Sequence, residues 1–204
     1  VHISVTSPTT ATESATGPGG GVVFYVRAAG FDCGVTLTST CNYLEAAPAN
    51  WLTGTTGDPT RSWATNINSN QTTAVIGADG TLIGTGYQNS LDIVAQTGNV
   101  AATSAAVEAR AYQGNSKTDW HLPSKDELNQ MCKWQGGLAW TSDATTCSST
   151  TLNSGLGASG FSTDDYWSSS ESVDYGAWFQ NFTNGGQYDY SKTGARYVRP
   201  VRAF

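Results

Sequence analysis

Two histidines, four cysteines and 16 acidic side chains are the groups in this chain that could move protons, attack a substrate or hold a metal. His2 stands near the start, and His121 is wedged between Trp120 and Leu122. Neither has a sequence neighbour that completes a pair of base and orienting group, so His121 reads as structural or merely exposed. Asp164 with Asp165, and Glu171 with Asp174, lie in stretches rich in Ser and Gly. Acid and base roles would need a cleft that drives two carboxyl pKa values apart, so these acids read as solvated. Cys33, Cys41, Cys132 and Cys147 fall into two local pairs, with neither the paired CxxC knuckles of a zinc site nor a redox CxxC. Each pair brackets a loop of small and polar residues, which predicts disulfides Cys33–Cys41 and Cys132–Cys147. Closing a loop of about 15 residues stabilises a fold by roughly 3 kcal/mol when strain is small. Such bonds place the chain in an oxidising compartment, outside the cell or on a particle that works there. No catalytic residue is assigned and no enzyme is expected.

Cofactor chemistry is equally sparse. The GADG run at 77–80 offers oxygens that calcium could use, without the spaced acids of an EF-hand. No cofactor is therefore expected, with calcium left open. The GPGGG run at 17–21 precedes a strand rather than a helix, which is the wrong context for a phosphate loop and marks a turn. A net charge of −6 removes the phosphate-neutralising surface that nucleic acid requires. No apolar run approaches the roughly 20 residues of a membrane-spanning helix, so membrane insertion is not expected. The basic cluster Lys192, Arg196, Arg199 and Arg202 reads as strand-flanking charges paired with acids.

What remains is recognition chemistry. Between Ser172 and Ser191 the chain sets Asp174, Tyr175, Phe179, Asn181, Thr183, Asn184, Tyr188, Asp189 and Tyr190 around a glycine turn. Paratopes use this mixture, with Tyr as stiff amphipathic contact area and Ser, Gly and Asn as adaptable hydrogen-bonding groups. An ordinary β-hairpin with polar tips has the same composition, and both readings stand at this point.

The elements that would position these residues are legible in part. Residues 1–16 lack a helical period and read as a linker or lead-in strand from a preceding module, with a short strand at 2–5. The domain is taken as 17–204. Val22 to Val26 reads as a buried strand. Helices are predicted over 87–97, with Leu91, Val94 and Ala95 on the buried face, and over 100–112. A third, from Lys125 to Trp134, is opened by the capping box of Ser124 and Glu127 and buries Leu128, Met131 and Cys132. After Phe161 the pattern turns β-like. Trp178, Gln180 and Phe182 are assigned inward, Phe179 and Asn181 outward, and Gly185-Gly186 makes the turn. A final strand is expected from Tyr197 to Phe204, with Pro200 at an edge or bulge. These elements make an α+β fold of antiparallel strands, paired terminal strands, two to three helices and long loops. With only 13% charged residues, long charged helices are not expected.

GGGVVFYV (19–26), YLEAAPANW (43–51), DWHLPSKDEL (119–128), YWSSSE (166–171), AWFQNF (177–182) and VRPVRAF (198–204) together resemble one group of bacterial extracellular domains. These have a C-type-lectin-like fold of the formylglycine-generating-enzyme subtype and occur on surface proteins and collagen-like adhesins. Within that group the C-terminal motifs are similar to the variable proteins of diversity-generating retroelements. The resemblance implies a fixed scaffold of Trp167, Glu171, Trp178, Gln180, Phe182, Gln187 and Lys192. It implies diversified, ligand-binding positions at Ser172, Asp174, Tyr175, Phe179, Asn181, Asn184, Tyr188 and Tyr190. Mutated adenines in an Asn codon cannot produce Trp, Gln, Glu, Lys or Met, and none of these positions holds one. Neither EPN nor QPD occurs, so calcium-dependent sugar binding is not implied. The expectation is a surface-displayed, adhesin-like domain on a cell, filament or phage particle that binds a protein or glycan receptor on another cell or surface. The alternative is a structural subunit or cap of an extracellular fibre, and the oligomeric state is left unassigned.

Overall fold

β-branched and aromatic residues such as Val22 to Val26 favour the strands that build two sheets. The computed structural model describes residues 14–65, 67–96, 104–137, 146–147 and 161–204. The strand expected at 2–5 lies outside them. β1 (Val22–Cys33), β2 (Ser39–Ala46) and β8 (Val201–Ala203) form a three-stranded antiparallel sheet in the order β1-β2-β8. The terminal strands of the domain thus share one sheet with β2 between them, Val22 opposite Ala46 and Ala46 opposite Val201. Ser14 to Thr16 already pair with the start of β1, through Ser14 N to Val23 O and Val23 N to Ala15 O, each 2.9 Å.

The second sheet has five strands in the order β3-β7-β4-β5-β6. They are β3 (Thr60–Ser62), β4 (Asp165–Val173), β5 (Gly176–Asn181), β6 (Gln187–Ser191) and β7 (Ala195–Tyr197). All neighbours are antiparallel except β4 and β7, which meet in parallel at Tyr166 and Tyr197. The single final strand expected from Tyr197 is two strands in different sheets. Val198 to Pro200 break them apart, where Val198 N bonds Pro59 O and Pro200 O accepts from Ala47 N. Proline has no N–H for a ladder, so the chain changes sheet there.

Three α-helices pack on this framework, α1 (Gly86–Ala95) and α2 (Ala105–Ala111) against the five-stranded sheet and α3 (Lys125–Gln135) against strands of both sheets. α3 begins at a complete capping box, Ser124 Oγ accepting from Glu127 N and Glu127 Oε2 accepting from Ser124 N. It buries Leu128, Met131 and Cys132 against β1, β4 and β5. α1 corrects the sequence reading, because its buried face is Gly86, Asn89, Ser90 and Ile93 rather than Leu91, Val94 and Ala95. The reason is polar: Asn89 Nδ2 bonds Gly80 O and Ser169 Oγ, and Ser90 Oγ accepts from Leu122 N. Hydrogen bonds with polar groups of neighbouring segments therefore turn α1 away from its most apolar stripe. α2 is shorter than predicted, and 97–103 lie outside the described residues.

Two apolar clusters result. One joins Trp51, Trp63, Trp120, Trp167 and Phe179, and the other joins Phe24, Leu44, Met131, Tyr166 and Phe182. The GPGGG turn serves this framework by cradling a carboxylate: Gly19 N bonds both Glu45 oxygens, at 2.9 and 3.1 Å, and Gly21 N bonds Oε2 at 3.2 Å. A Cβ on Gly19 would stand 2.5 Å from the Trp120 ring, so the approach requires glycine there.

Candidate functional site

Pairing of β4, β5 and β6 decides which side chains share a face. Trp167 lies opposite Phe179, Phe179 opposite Tyr188, Ala177 opposite Tyr190 and Asp165 opposite Asn181. One face therefore carries Asp165, Trp167, Ala177, Phe179, Asn181, Tyr188 and Tyr190. On it Tyr188 and Tyr190 are 48% and 57% exposed, and Tyr175, at the β4–β5 turn, is 62% exposed. Asp174 and Asn184 are exposed as well, and Ser172 and Asn181 are half-buried.

Phe179 departs from this set. It points to the same side as the tyrosines, but only 8% of it is exposed. Its ring lies 6.2 Å from Trp167, 5.6 Å from Tyr188 and 4.0 Å from the Arg196 guanidinium, and these neighbours cover it. Outward parity on a strand is not exposure when adjacent strands carry large side chains. Asn181 and Asn184 mainly build the turn. Asn181 Oδ1 accepts from the amides of Thr183 and Asn184, Asn184 Oδ1 accepts from Gly186 N, and Gly185 adopts φ +74°.

Beneath the exposed positions the framework is tied by buried polar bonds. Lys192 is fully buried, and its Nζ donates to Glu171 Oε1 (2.5 Å), Asp174 O (2.6 Å) and Thr73 O (2.9 Å). Glu171 is thus buried and ion-paired, which corrects its reading as a solvated acid. Burial pushes its carboxyl pKa up, with the Lys192 hydrogen bond opposing. Gln180 Nε2 holds Gly185 O at 2.6 Å, and Gln187 Nε2 holds Lys125 O at 2.9 Å. Trp178, assigned inward, is half-buried, with Lys125 Nζ 3.5 Å above its ring.

The basic cluster is paired with acids, but most of it is buried rather than strand-flanking. Arg199 Nε bonds Asp58 at 2.5 Å, and Arg202 bonds Glu45 at 2.9 Å and Asp119 at 2.5 Å. Asp58 also accepts from Tyr166 Oη and Trp51 Nε1. Burial raises its pKa against the opposing pull of Arg199. Arg196 alone faces the tyrosines, stacked at 4.5 Å on Trp167 and 4.5 Å on Tyr190. Sequence reading passed over it as a flanking charge. The available signal was strand parity, which sets Arg196 and Tyr197 on opposite faces and so puts an arginine among the outward aromatics.

The remaining candidates are structural in their surroundings. His121 is buried, its backbone pairs with Val201, and its Nε2 lies 3.3 Å from Glu127 Oε2. In the GADG run Asp79 is exposed, while the carbonyls of Ala78 and Gly80 accept from Glu171 N and from Asn89 and Ser170. Among the described residues no group of three or more His, Cys, Asp and Glu is placed to hold a metal. Cys33 bonds Cys41, and Cys132 bonds Cys147. No described helix is long and apolar enough to cross a membrane.

Residues 51–202 match the Lcl C-terminal domain. The chain belongs to that family. The match takes in β3 to β7 whole, so the entire five-stranded sheet and its tyrosine face fall within the Lcl C-terminal domain, while β1 and β2 precede it. Among curated proteins none matches the chain. A crystal structure of a fimbrial protein from Bacteroides ovatus ATCC 8483 is similar, with a TM-score of 0.52 and 16% identity over 97% of this chain. The chain spans about half of that protein, 47% of its length, and a likeness at this identity bears on the fold alone.

Proposed function

We propose that this Lcl C-terminal domain is a surface-displayed, adhesin-like binding domain of C-type-lectin-like fold, working outside the cell. In this reading it takes a protein or glycan receptor through Tyr175, Tyr188 and Tyr190, with Asp174, Asn184, Ser172 and Asn181 around them. The observation that carries it is the segregation of the β4–β6 region. Three large aromatic side chains stand about half exposed or more, over a framework of buried, hydrogen-bonded residues. Exposed tyrosines supply contact area at low entropic cost, and a framework that holds them in place reduces what must be ordered on binding. The resemblance to retroelement-diversified proteins extends the reading, with Ser172, Asp174, Tyr175, Phe179, Asn181, Asn184, Tyr188 and Tyr190 varied and Trp167, Glu171, Trp178, Gln180, Phe182, Gln187 and Lys192 constant. Six of the constant set are buried or hydrogen-bonded and Trp178 is half-buried under Lys125, while Phe179 alone of the varied set is buried. The pairing of all four cysteines in disulfides supports a setting outside the cell, where such bonds persist.

The test is a Tyr175→Ala, Tyr188→Ala, Tyr190→Ala variant, assayed for retention on arrays of glycans and surface proteins that hold the wild type. Retention should fall at least about 100-fold, the loss of two or more anchor contacts, with an unchanged melting temperature. Parallel loss of melting temperature and binding would make the tyrosines core residues and end the reading. Diversification has its own test, a near-copy of the coding segment for 166–204 beside a reverse transcriptase, differing only at adenines. A second reading, a fibre subunit or cap, draws on the name of the fimbrial neighbour. In that reading the lead-in, residues 1–16, pairs with another copy by strand addition. Particles that assemble after deletion of residues 1–16 would refute it.

A further inference from the structure

Arg196 carries an unmet demand for an anion. Its side chain is only 10% exposed, yet its Nε has no hydrogen-bond partner among the described residues. The Asp165 Oδ2 oxygen is 3.6 Å away, an ion pair without a hydrogen bond, and the other oxygen of Asp165 is taken by Asn181 Nδ2 at 2.8 Å. Trp167, Phe179 and Tyr190 surround the guanidinium at 4.5, 4.0 and 4.5 Å, which holds the group in place and leaves Nε unsatisfied. Burial lowers its pKa, the mark of a charge taken out of water ahead of full compensation. Arg61, opposite Arg196 across β3 and β7, also has a buried Nε without a hydrogen bond, but its Nη2 donates to Glu108 Oε1 at 2.8 Å and that carboxylate neutralises it. Arg196 lines an open pocket of about 390 Å³ with Thr60, Asp164, Asp165, Tyr190 and Tyr197.

We infer that Arg196 is the anchor of a carboxylate subsite, which receives an acidic side chain from a protein docked on the tyrosine face. The inference rests on the binding face proposed above and names the chemistry of its partner. A carboxylate matches the planar donor fork of arginine with two parallel hydrogen bonds, and the stacked rings already hold that fork in place. The pocket wall argues for one isolated negative charge. Asp164 and Asp165 stand beside Arg196 and the chain carries a net charge of −6, so a polyanion would set its further charges against like charges. A protein surface presents a single Asp or Glu among neutral or basic neighbours. Tyr190 serves both functions, as a wall of the subsite and as part of the exposed aromatic face.

The test uses the whole chain labelled with nitrogen-15 and follows the Arg196 Nε–H signal. The probes are the peptide acetyl-Gly-Glu-Gly-amide, its Gln analogue and tetragalacturonate. The Glu peptide should shift the signal saturably at millimolar concentration and the Gln peptide should not. In Arg196→Lys, which keeps the charge and loses the fork, the dissociation constant should rise about tenfold. In Arg196→Gln the response, followed at the Tyr190 and Asp165 amides, should vanish while the remaining spectrum stays folded. No saturable shift with the Glu peptide, an equal shift with the Gln peptide, or tighter binding of tetragalacturonate would each overturn the inference. None of these outcomes touches the tyrosine reading, which fails only if receptor retention survives loss of the three tyrosines or falls together with the fold.

Discussion

Lys192→Met tests whether one buried cation holds the framework under the tyrosine face. Met nearly preserves the length of the side chain and removes three bonds at once, to Glu171 Oε1, Asp174 O and Thr73 O. It leaves the Glu171 carboxylate buried with only the Val75 amide, at 2.8 Å, to stabilise it. Removing one partner of a buried pair costs about 3–5 kcal/mol. At about 2–4 °C per kcal/mol for a chain of this size, the melting temperature should fall by roughly 6–20 °C. Glu171→Gln keeps an oxygen for the Val75 amide and removes the charge, so the double variant isolates the pair. Thermal and urea unfolding of the four proteins should show that the double variant loses less than the sum of the single losses, by at least about 1 kcal/mol. Acidity adds a second constraint. Burial already raises the Glu171 pKa, and without Lys192 its main opposing influence is gone. A carboxyl with a raised folded pKa gains stability as pH falls through that value, so Lys192→Met should recover part of its loss on acidification. Additivity within about 0.5 kcal/mol, or a loss that deepens as pH falls, would refute the coupling.

Asp58 gives a related test on the opposite flank. Its pKa is raised by burial in spite of Arg199, so unfolding free energies at pH 7, 5.5 and 4.5 should move in favour of the wild type over Asp58→Asn as pH falls, by at most about 1.4 kcal/mol per pH unit; the reverse slope would mean that the Arg199 pair outweighs burial. Ser124→Ala removes the cap of α3 and the bond to Leu82 O, and calorimetry should show a loss of about 1–2 kcal/mol, or roughly 2–8 °C. Replacing Cys132 and Cys147 by Ala opens a loop with a sequence separation of 15 and should cost about 3 kcal/mol in urea unfolding. The Cys33 and Cys41 pair, with a separation of 8, should cost about 0.5 kcal/mol less.

Local chemistry was legible in the sequence and long-range satisfaction was not. The capping box at Ser124 needs only residues three apart, so α3 could be placed to within a residue. The Gly185 turn and the parity of β5 are local in the same sense. The buried face of α1 is not, because it depends on Ser169 and Leu122, distant in sequence, offering partners to Asn89 and Ser90. Nor could parity reveal that Phe179 is covered, since its cover comes from Trp167 on β4, Tyr188 on β6 and Arg196 on β7. The reading of Glu171 as solvated failed for the same reason, whereas Asp164 and Asp174 are exposed as read. Glu171 lies in a serine-rich run that reads as solvated, and only the fold brings Lys192 to it.

The arrangement of bonds across the five-stranded sheet leaves the tyrosine side chains of β6 outside the hydrogen bonds that hold it together. The ties Gln180 to Gly185, Gln187 to Lys125 and Lys192 to Glu171 leave the tyrosine side chains free, and among the proposed binding positions Asn181 and Asn184 do carry ties, at the turn between β5 and β6. Tyr188 and Tyr190 contribute ring contacts to Phe179 and Arg196 but anchor no backbone. β6 is moreover the edge strand, paired on one side only, with Asp189 among its exposed residues, a charge that discourages strand addition by another sheet. An edge kept from pairing by charge, yet aromatic on its accessible face, is suited to contact through side chains rather than through main-chain addition. Binding by this domain should therefore follow side-chain identity at 188 and 190 and be indifferent to the strand-forming tendency of its partner.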